Sequence, residues 1–322
     1  MKHLANGSDD ATMITRCPFF AALLALSPAL SAGALADEIQ HRFLAFGSST
    51  RLVEADGSAS WTFPESSRDG QMLASGNILL VLSKSEKRPH GAVVEVQRSG
   101  SDAGKIVFEH VGTQSEVNTA QRLENGNTML VEAGEHPRIL EVDPKGAIVS
   151  ETAIRCQSDN HHMESRMTRK LANGNYLVPQ LLDRVVREYT PKGEVVREVK
   201  TPDAPKDAWP FTAISLPSGN LLITCTHGNM VIEVDAAGTE VWRLTNADFD
   251  RPLLNDPCGA QRLANGNTVI CSYAIGDGGT KLLEVTREKK VVWTFTEPTV
   301  SGIHEVQILS TNGTPLTEKP LR

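Results

Sequence analysis

Apolar and polar residues alternate along most of this chain in short runs broken by tight turns, and one such run recurs. Gln261-Arg-Leu-Ala-Asn-Gly-Asn-Thr-Val-Ile270 is nearly repeated as Gln121-Arg-Leu-Glu-Asn-Gly-Asn-Thr-Met-Leu130. Lys170-Leu-Ala-Asn-Gly-Asn-Tyr-Leu-Val178 is a third copy; Met72–Leu80 and Ser215–Ile223 are looser ones, and Ile308–Leu316 is degenerate. Each reads as the end of a strand, an Asn-Gly or Ser-Gly turn and a second strand. Asn-Gly predicts a two-residue type I′ hairpin, whose central positions both need positive φ. A second pattern follows each turn: apolar-Glu-apolar, a polar turn, then an apolar strand. Examples are Ile139-Leu-Glu-Val-Asp-Pro-Lys-Gly-Ala-Ile-Val149 and Val231-Ile-Glu-Val-Asp-Ala-Ala-Gly-Thr-Glu-Val-Trp242. Period-two alternation marks half-buried strands.

One repeat is therefore a meander of four strands, and no capped stretch of helical period lies between repeats. The turn glycines Gly76, Gly126, Gly174, Gly219, Gly266 and Gly313 are 50, 48, 45, 47 and 47 residues apart. Four-stranded sheets at this period predict an all-β fold, a single six-bladed β-propeller of antiparallel blades. The second pattern first occurs at Arg51–Trp61, before any Gly-Asn turn, and last occurs before the final turn. The chain is thus expected to begin with the outer strands of one blade and to end with that blade's inner strands, closing the ring. Trp61, Trp242 and Trp293 share one position on the outermost strand, with Phe108, Ser150 and Arg197 in the other repeats; packing between blades is the expected role.

The N-terminus departs from this pattern. Arg16 precedes the apolar run 18–30, which leads to Ala34-Leu-Ala36 before Asp37-Glu38. A positive flank, a short apolar run and small residues at a cleavage position form a secretory signal over residues 1–36, with Met13 as an alternative start. The run is too short to span a bilayer. A periplasmic or secreted protein over residues 37–322 is expected, a monomer without a membrane span. Net charge is −7, which argues against a nucleic-acid partner. Of the mature cysteines, Cys156, Cys225, Cys258 and Cys271, either all are buried small hydrophobes or Cys258 pairs with Cys271 or Cys225.

Residues that differ from repeat to repeat carry the candidate chemistry. Aligning the repeats on the Leu before the turn brings Arg68, Asn118, Arg166, Phe211, Cys258 and His304 to one position. Ser66, Glu116, Glu164, Trp209, Asp256 and Gly302 stand two residues earlier. Both tiers are expected to ring one mouth of the channel. Asp159-Asn-His-His-Met-Glu-Ser-Arg166 is the richest cluster, in which His161 or His162 with Glu164 and Arg166 suits anion binding or proton transfer. His304-Glu305 opens the last inner strand. Trp209-Pro-Phe211 is an apolar element that either stacks a ring or closes the channel, while His90, His136 and His227 fall in rim loops. No metal or cofactor is expected: no C-x₂-C pair exists, and the His161-His162, Glu164 and His304 set has no diagnostic spacing. G-x-S-x-G, H-E-x-x-H and P-loop motifs are missing from the sequence.

The repeated Leu-x-Asn-Gly-Asn followed by Glu-Val-Asp-x-x-Gly resembles exported bacterial quinoprotein-like, or PQQ-like repeat, β-propellers, and is similar to the propeller of bacterial arylsulfotransferases. The resemblance covers residues 43–316 in strand and turn positions, so it implies the fold and assigns no catalytic residue. The eight-bladed quinoprotein dehydrogenases differ by an adjacent Cys-Cys pair and a calcium site; arylsulfotransferases carry an additional N-terminal domain. The expectation is a binding module for a small polar or aromatic anionic ligand, or a protein partner, at the channel mouth. The alternatives are a sulfuryl transferase of arylsulfotransferase type, in which His304 and Arg166 would be catalytic, and a quinone-binding redox protein. Export should remove residues through Ala36; N-terminal sequencing of the secreted protein checks this, and an intact Met1 or Met13 would refute it.

Overall fold

The computed structural model describes residues 38–322 except 206, 277 and 298–301; the expected signal peptide lies outside the described residues. Six antiparallel sheets follow one another around a channel. Their innermost strands are Ser67–Met72, Glu116–Arg122, Arg169–Lys170, Ala208–Ser215, Pro257–Arg262 and Ile303–Thr311, which define blades 1 to 6. The only helical turns among the described residues are two short 3₁₀ segments, His161–Met163 and Asn246–Asp248. The six-bladed, all-β architecture is as the repeat implies.

Two details differ from the sequence-based expectation. Closure divides one strand against three: Ile303–Thr311 pairs with His41–Gly47, which continues to Thr50–Val53 and Ala59–Phe63. A two-residue strand, Thr314–Pro315, adds a fifth member on the channel side. The turns also differ. In the Asn-Gly copies only the glycine has positive φ, 87° at Gly126, while Asn125 does not. Leu123 N–H donates to Asn127 O (2.8 Å) and Gly126 N–H to Leu123 O (3.0 Å), closing a five-residue loop. Asn125 Oδ1 accepts from Asn127 N–H (3.0 Å) and so holds Asn125 in a right-handed turn. Asn312-Gly313 alone has both residues at positive φ, 48° and 75°, in a two-residue connection from Thr311 to Thr314.

Neighbouring blades meet through apolar layers such as Leu44, Phe46, Leu52, Ile78, Leu80 and Val94, all essentially inaccessible. The tryptophans of the outer strands pack at these layers; Trp293 meets Phe43 edge-on with centroids 5.9 Å apart. Two polar links recur at the turn end of the channel. The inner-strand Gln of one blade accepts the inner-strand N–H of the next: Gln71 from Arg122 (3.1 Å), Gln121 from Lys170 (2.9 Å), Gln261 from Ile308 (2.8 Å) and Gln307 from Met72 (2.8 Å). The repeated third-strand Glu accepts a cation from the next blade: Glu95 from Arg122 (2.9 Å), Glu141 from Lys170, Glu233 from Arg262 (3.4 Å). His41 approaches Glu284 likewise (2.6 Å). These links explain why the Gln and Glu recur in the sequence at all.

The four cysteines among the described residues, Cys156, Cys225, Cys258 and Cys271, are free thiols, so no disulfide joins the described strands. Closure rests instead on the register of Ile303–Thr311 against His41–Gly47 and on the apolar faces it buries. Deleting residues 303–322 should unfold the protein, because it exposes two sheet edges and the layers on either side of blade 6. A thermal melt of the truncated chain checks this; an unchanged midpoint without aggregation would refute it.

Candidate functional site

At the opposite end of the inner strands, five of the six blades make the same irregularity. Pairing skips one residue at Arg68, Asn118, Phe211 and His304, and Cys258-Gly259 together face one residue of the next strand. A β-bulge inserts an unpaired residue and re-aims its side chain. In blade 3 the strand is regular only over Arg169–Lys170; Arg166 is held by its N–H on Pro179 O (3.2 Å), ahead of Met167 at φ 21°. In those five blades the bulge takes one repeat-equivalent residue out of the strand's alternation, and in blade 3 the irregular segment before Arg169 does the same for Arg166.

Arg68, Arg166, Phe211, Cys258 and His304 line one cavity of about 250 Å³, with His162, Asp256, Met163, Leu181, Thr226, His227 and Tyr273. Asn118 stays behind Arg68, 3.5 Å from its Nη1. Glu116 is buried and accepts from Arg68 Nη1 (3.0 Å), with His162 Nδ1 2.9 Å from its other oxygen. Burial alone would raise its carboxyl pKa, but His162, Arg68 and Arg166 outweigh it and hold the group down at about 2. His161 and Glu164 turn away: His161 Nδ1 lies 2.5 Å from Glu164 Oε1, and Glu164 Oε2 accepts Gly134 N–H (3.0 Å). Burial raises the Glu164 pKa against these contacts. Trp209 rests on His227 at 4.4 Å, beside the wall rather than on it. Glu305 lies below the cavity on the axis, because one residue past the bulge the side chain points into the channel interior.

That axial layer is charge-balanced. Arg169 donates to both oxygens of Asp69 (2.8 and 3.0 Å), and Arg322 reaches in from the far end to Asp69 (3.5 Å) and to Gly70 O. Glu305 stands 3.6 Å from Arg169 Nη2; burial raises its pKa, against the pull of Arg322 and Arg169. These groups close the channel beneath the mouth.

The cavity itself is not balanced. Arg166 is 3% exposed, and among the described residues its guanidinium makes one hydrogen bond, Nη1 to Ser165 O (2.8 Å), and no ion pair. Burial and the neighbouring Arg68 lower its pKa to about 9, against the pull of Glu116, so it remains a cation at neutral pH. It sits 6.0 Å from the centre of the Phe211 ring. His304 is stacked between Tyr273 (4.2 Å) and Phe211 (6.3 Å), and its Nδ1 is buried without a partner. Burial, then Arg68, Arg166 and His162, depress its pKa to about 3, so the imidazole is neutral. Burial raises the Cys258 thiol far above its usual range, which makes it a packing group and not a nucleophile. A Cβ on Gly302 would collide with the Tyr273 carbonyl, so that glycine is what admits Tyr273. A cavity of 250 Å³ is ample for one aromatic ring, since 150 Å³ accommodates benzene.

A family model described as Mal s 1 allergenic protein-like matches residues 55–250. The chain belongs to the Mal s 1-like family. No curated protein matches it. Among solved structures, a protein of unknown function from Bacteroides caccae is similar over 87% of this chain and all of that one, with 24% identity and a TM-score of 0.72. The periplasmic gluconolactonase PpgL of Pseudomonas aeruginosa aligns over 85% of this chain and 99% of its own, with 12% identity and a TM-score of 0.58. A catalytically inactive virginiamycin B lyase of Staphylococcus aureus, solved with quinupristin, aligns over 74% and 73%, with 15% identity and a TM-score of 0.53. At these identities the likeness carries the β-propeller fold alone. The resemblance to quinoprotein-like proteins and arylsulfotransferases holds at the level of the β-propeller fold.

Tyr273, Leu181 and Thr226 also line the cavity, and no sequence pattern marks them; Met163 lies inside the Asp159–Arg166 cluster and His227 is one of the rim-loop histidines. Tyr273 and His227 lie at the ends of second strands in loops of unequal length, where repeat alignment loses register.

The depressed His304 pKa has a consequence for stability. The unfolded chain takes up a proton near pH 6.5, whereas the folded chain resists until about pH 3. Stability from the neutral imidazole is fully present above pH 6.5 and is lost as pH falls toward 3. The Tm of the wild-type protein should decline between pH 6.5 and 4.5, and that of His304→Gln should decline less, by a few degrees. Parallel melting curves across this range would refute the assignment.

Proposed function

We propose that this Mal s 1-like protein is an exported binding module that takes a small aromatic anion at the channel mouth. The observation that carries the reading is Arg166: a buried guanidinium with no carboxylate partner among the described residues, placed against Phe211 on the wall of the cavity. An unpaired buried charge is costly to a fold and is the kind of group that a ligand anion stabilises. Arg68 is already neutralised by Glu116, which leaves Arg166 as the cation available to the ligand. Phe211, Tyr273 and the stacked His304 imidazole supply the flat apolar faces for a ring. Export rests on the leader pattern of residues 1–36.

A sulfuryl-transfer reading draws on one further observation: the neutral His304 shares the cavity with Arg166 and His162. A nucleophilic imidazole must be unprotonated, and a guanidinium beside it can stabilise sulfuryl oxygens. The low basicity of His304 weakens it as a nucleophile, so binding without turnover is favoured.

One probe, 4-nitrophenyl sulfate, distinguishes the two. Binding followed by calorimetry should be weakened roughly 10- to 100-fold by Arg166→Ala, the loss of a charge-assisted hydrogen bond, with Tm nearly unchanged. Affinity should fall above about pH 9 as Arg166 loses its proton. Release of 4-nitrophenol that is abolished in His304→Ala would establish transfer. If Arg166→Ala and His304→Ala both melt several degrees lower and bind normally, the mouth is structural.

A further inference from the structure

The turn end of the channel holds a second departure from the repeat, distant from the mouth. Four of the six junctions between inner strands are joined by Gln to backbone N–H, as described above. At the junction from blade 4 to blade 5, Ile214 stands in the Gln position, and the Leu321 carbonyl accepts Arg262 N–H instead (2.9 Å). The junction from blade 3 to blade 4 has neither device. Arg169 stands in the Gln position and is turned into the axis by Asp69 (2.8 Å). Among the described residues, no side chain or tail carbonyl accepts the Ser215 N–H.

The other links change at this same junction. Ser215 stands where blades 2, 3 and 5 carry Arg122, Lys170 and Arg262, so among the described residues Glu188 receives no cation from the next blade. It is held instead by the amides of Asn173 (3.0 Å) and Asn175 (2.6 Å). Arg197 stands where four blades carry an aromatic residue, Phe108, Trp242, Trp293 and Trp61, and blade 2 carries Ser150. Arg197 Nη2 donates to Asp235 O (2.9 Å), and its Nε is buried with no partner. These substitutions leave a cavity of about 560 Å³ whose wall includes Arg197, Ser215, Glu188, Leu171, Leu177 and Ile214.

The geometry points to a binding site for an aliphatic monocarboxylate between blades 3 and 4: we propose that its carboxylate takes the Ser215 N–H and Arg197, where a Gln oxygen serves the other blades. The chemistry follows from the wall. A backbone N–H and a guanidinium with a free donor call for an anionic oxygen acceptor. Arg169, Lys170, Arg322 and Lys319 also border the cavity, but Arg169 and Arg322 are committed to Asp69, Lys170 to Glu141 and Lys319 to Glu124. Glu188 adds a negative charge, which disfavours a second anionic group on the ligand. The apolar part of the wall, with Leu171, Leu177, Ile214 and Leu321, is aliphatic and holds no aromatic residue, so it suits an alkyl chain rather than a ring, while Gln71, Gln121 and Asn173 add neutral amides. The site shares no wall residue with the cavity at the mouth.

Calorimetric titration of the full chain with decanoate, below its micellar concentration, tests the proposal. One decanoate should bind per chain with a dissociation constant below 1 mM, and decylammonium at least tenfold more weakly. Arg197→Ala should weaken decanoate at least tenfold. Ser215→Arg should abolish binding, because it offers Glu188 the cation that the other junctions carry and fills the cavity; unchanged melting curves confirm that both variants are folded. Neither variant should alter the affinity of the mouth for 4-nitrophenyl sulfate, so failure here is separable from failure there. The proposal is overturned if the wild-type protein does not bind decanoate below 1 mM, if decylammonium binds equally well, or if both variants, folded, bind decanoate as the wild type does.

Discussion

The inner edge of each blade is the constraint on which this ring depends. The innermost strand of five sheets has a partner strand on one side only and its other edge faces the channel; in blade 6 only Ser310 and Thr311 gain a second partner, from Thr314–Pro315. A buried N–H without an acceptor costs about as much as a lost hydrogen bond, and an open edge is a template for unwanted pairing. The protein answers with a side chain: Gln71, Gln121, Gln261 and Gln307 each reach across to the next blade's backbone. Satisfying an edge and joining two blades thus become one interaction. The Glu of the third strand adds a second link between blades, and the apolar layers supply most of the favourable free energy between them.

The same edge accounts for the contrast between the axis and the mouth. Deep in the channel every charge is met: Asp69 by Arg169 and Arg322, with Glu305 beside them. At the mouth a β-bulge in nearly every inner strand releases one residue from the strand's alternation, and these residues do not complement one another. Arg68 has Glu116, but Arg166 has only a backbone carbonyl and an aromatic face. A symmetric scaffold tolerates such asymmetry because the bulged residue contributes little to packing between blades. Function on a repeated fold is accordingly sought where repeats differ, and both the mouth and the junction between blades 3 and 4 are such places.

Much of this was legible without coordinates. The alternation of apolar and polar residues, the spacing of the turn glycines and the offset of the two repeated patterns determine six four-stranded sheets closed by the two ends of the chain. All three are properties of short segments, and a strand's period survives whatever surrounds it. Alignment on the repeat Leu also placed Arg68, Arg166, Phe211, Cys258 and His304 in one ring, because a position counted along a strand keeps its height in every blade. Asn125-Gly126 misled as to turn type, since the same dipeptide serves a two-residue hairpin at Asn312-Gly313 and a five-residue loop elsewhere. Only the tertiary structure decided that His162 enters the cavity while His161 turns to Glu164, that Tyr273 closes over His304, that Glu305 joins the axial charges, and that Arg322 plugs the channel. Each of these depends on a loop or a long-range contact whose geometry is set by neighbouring blades, and no local periodicity encodes it.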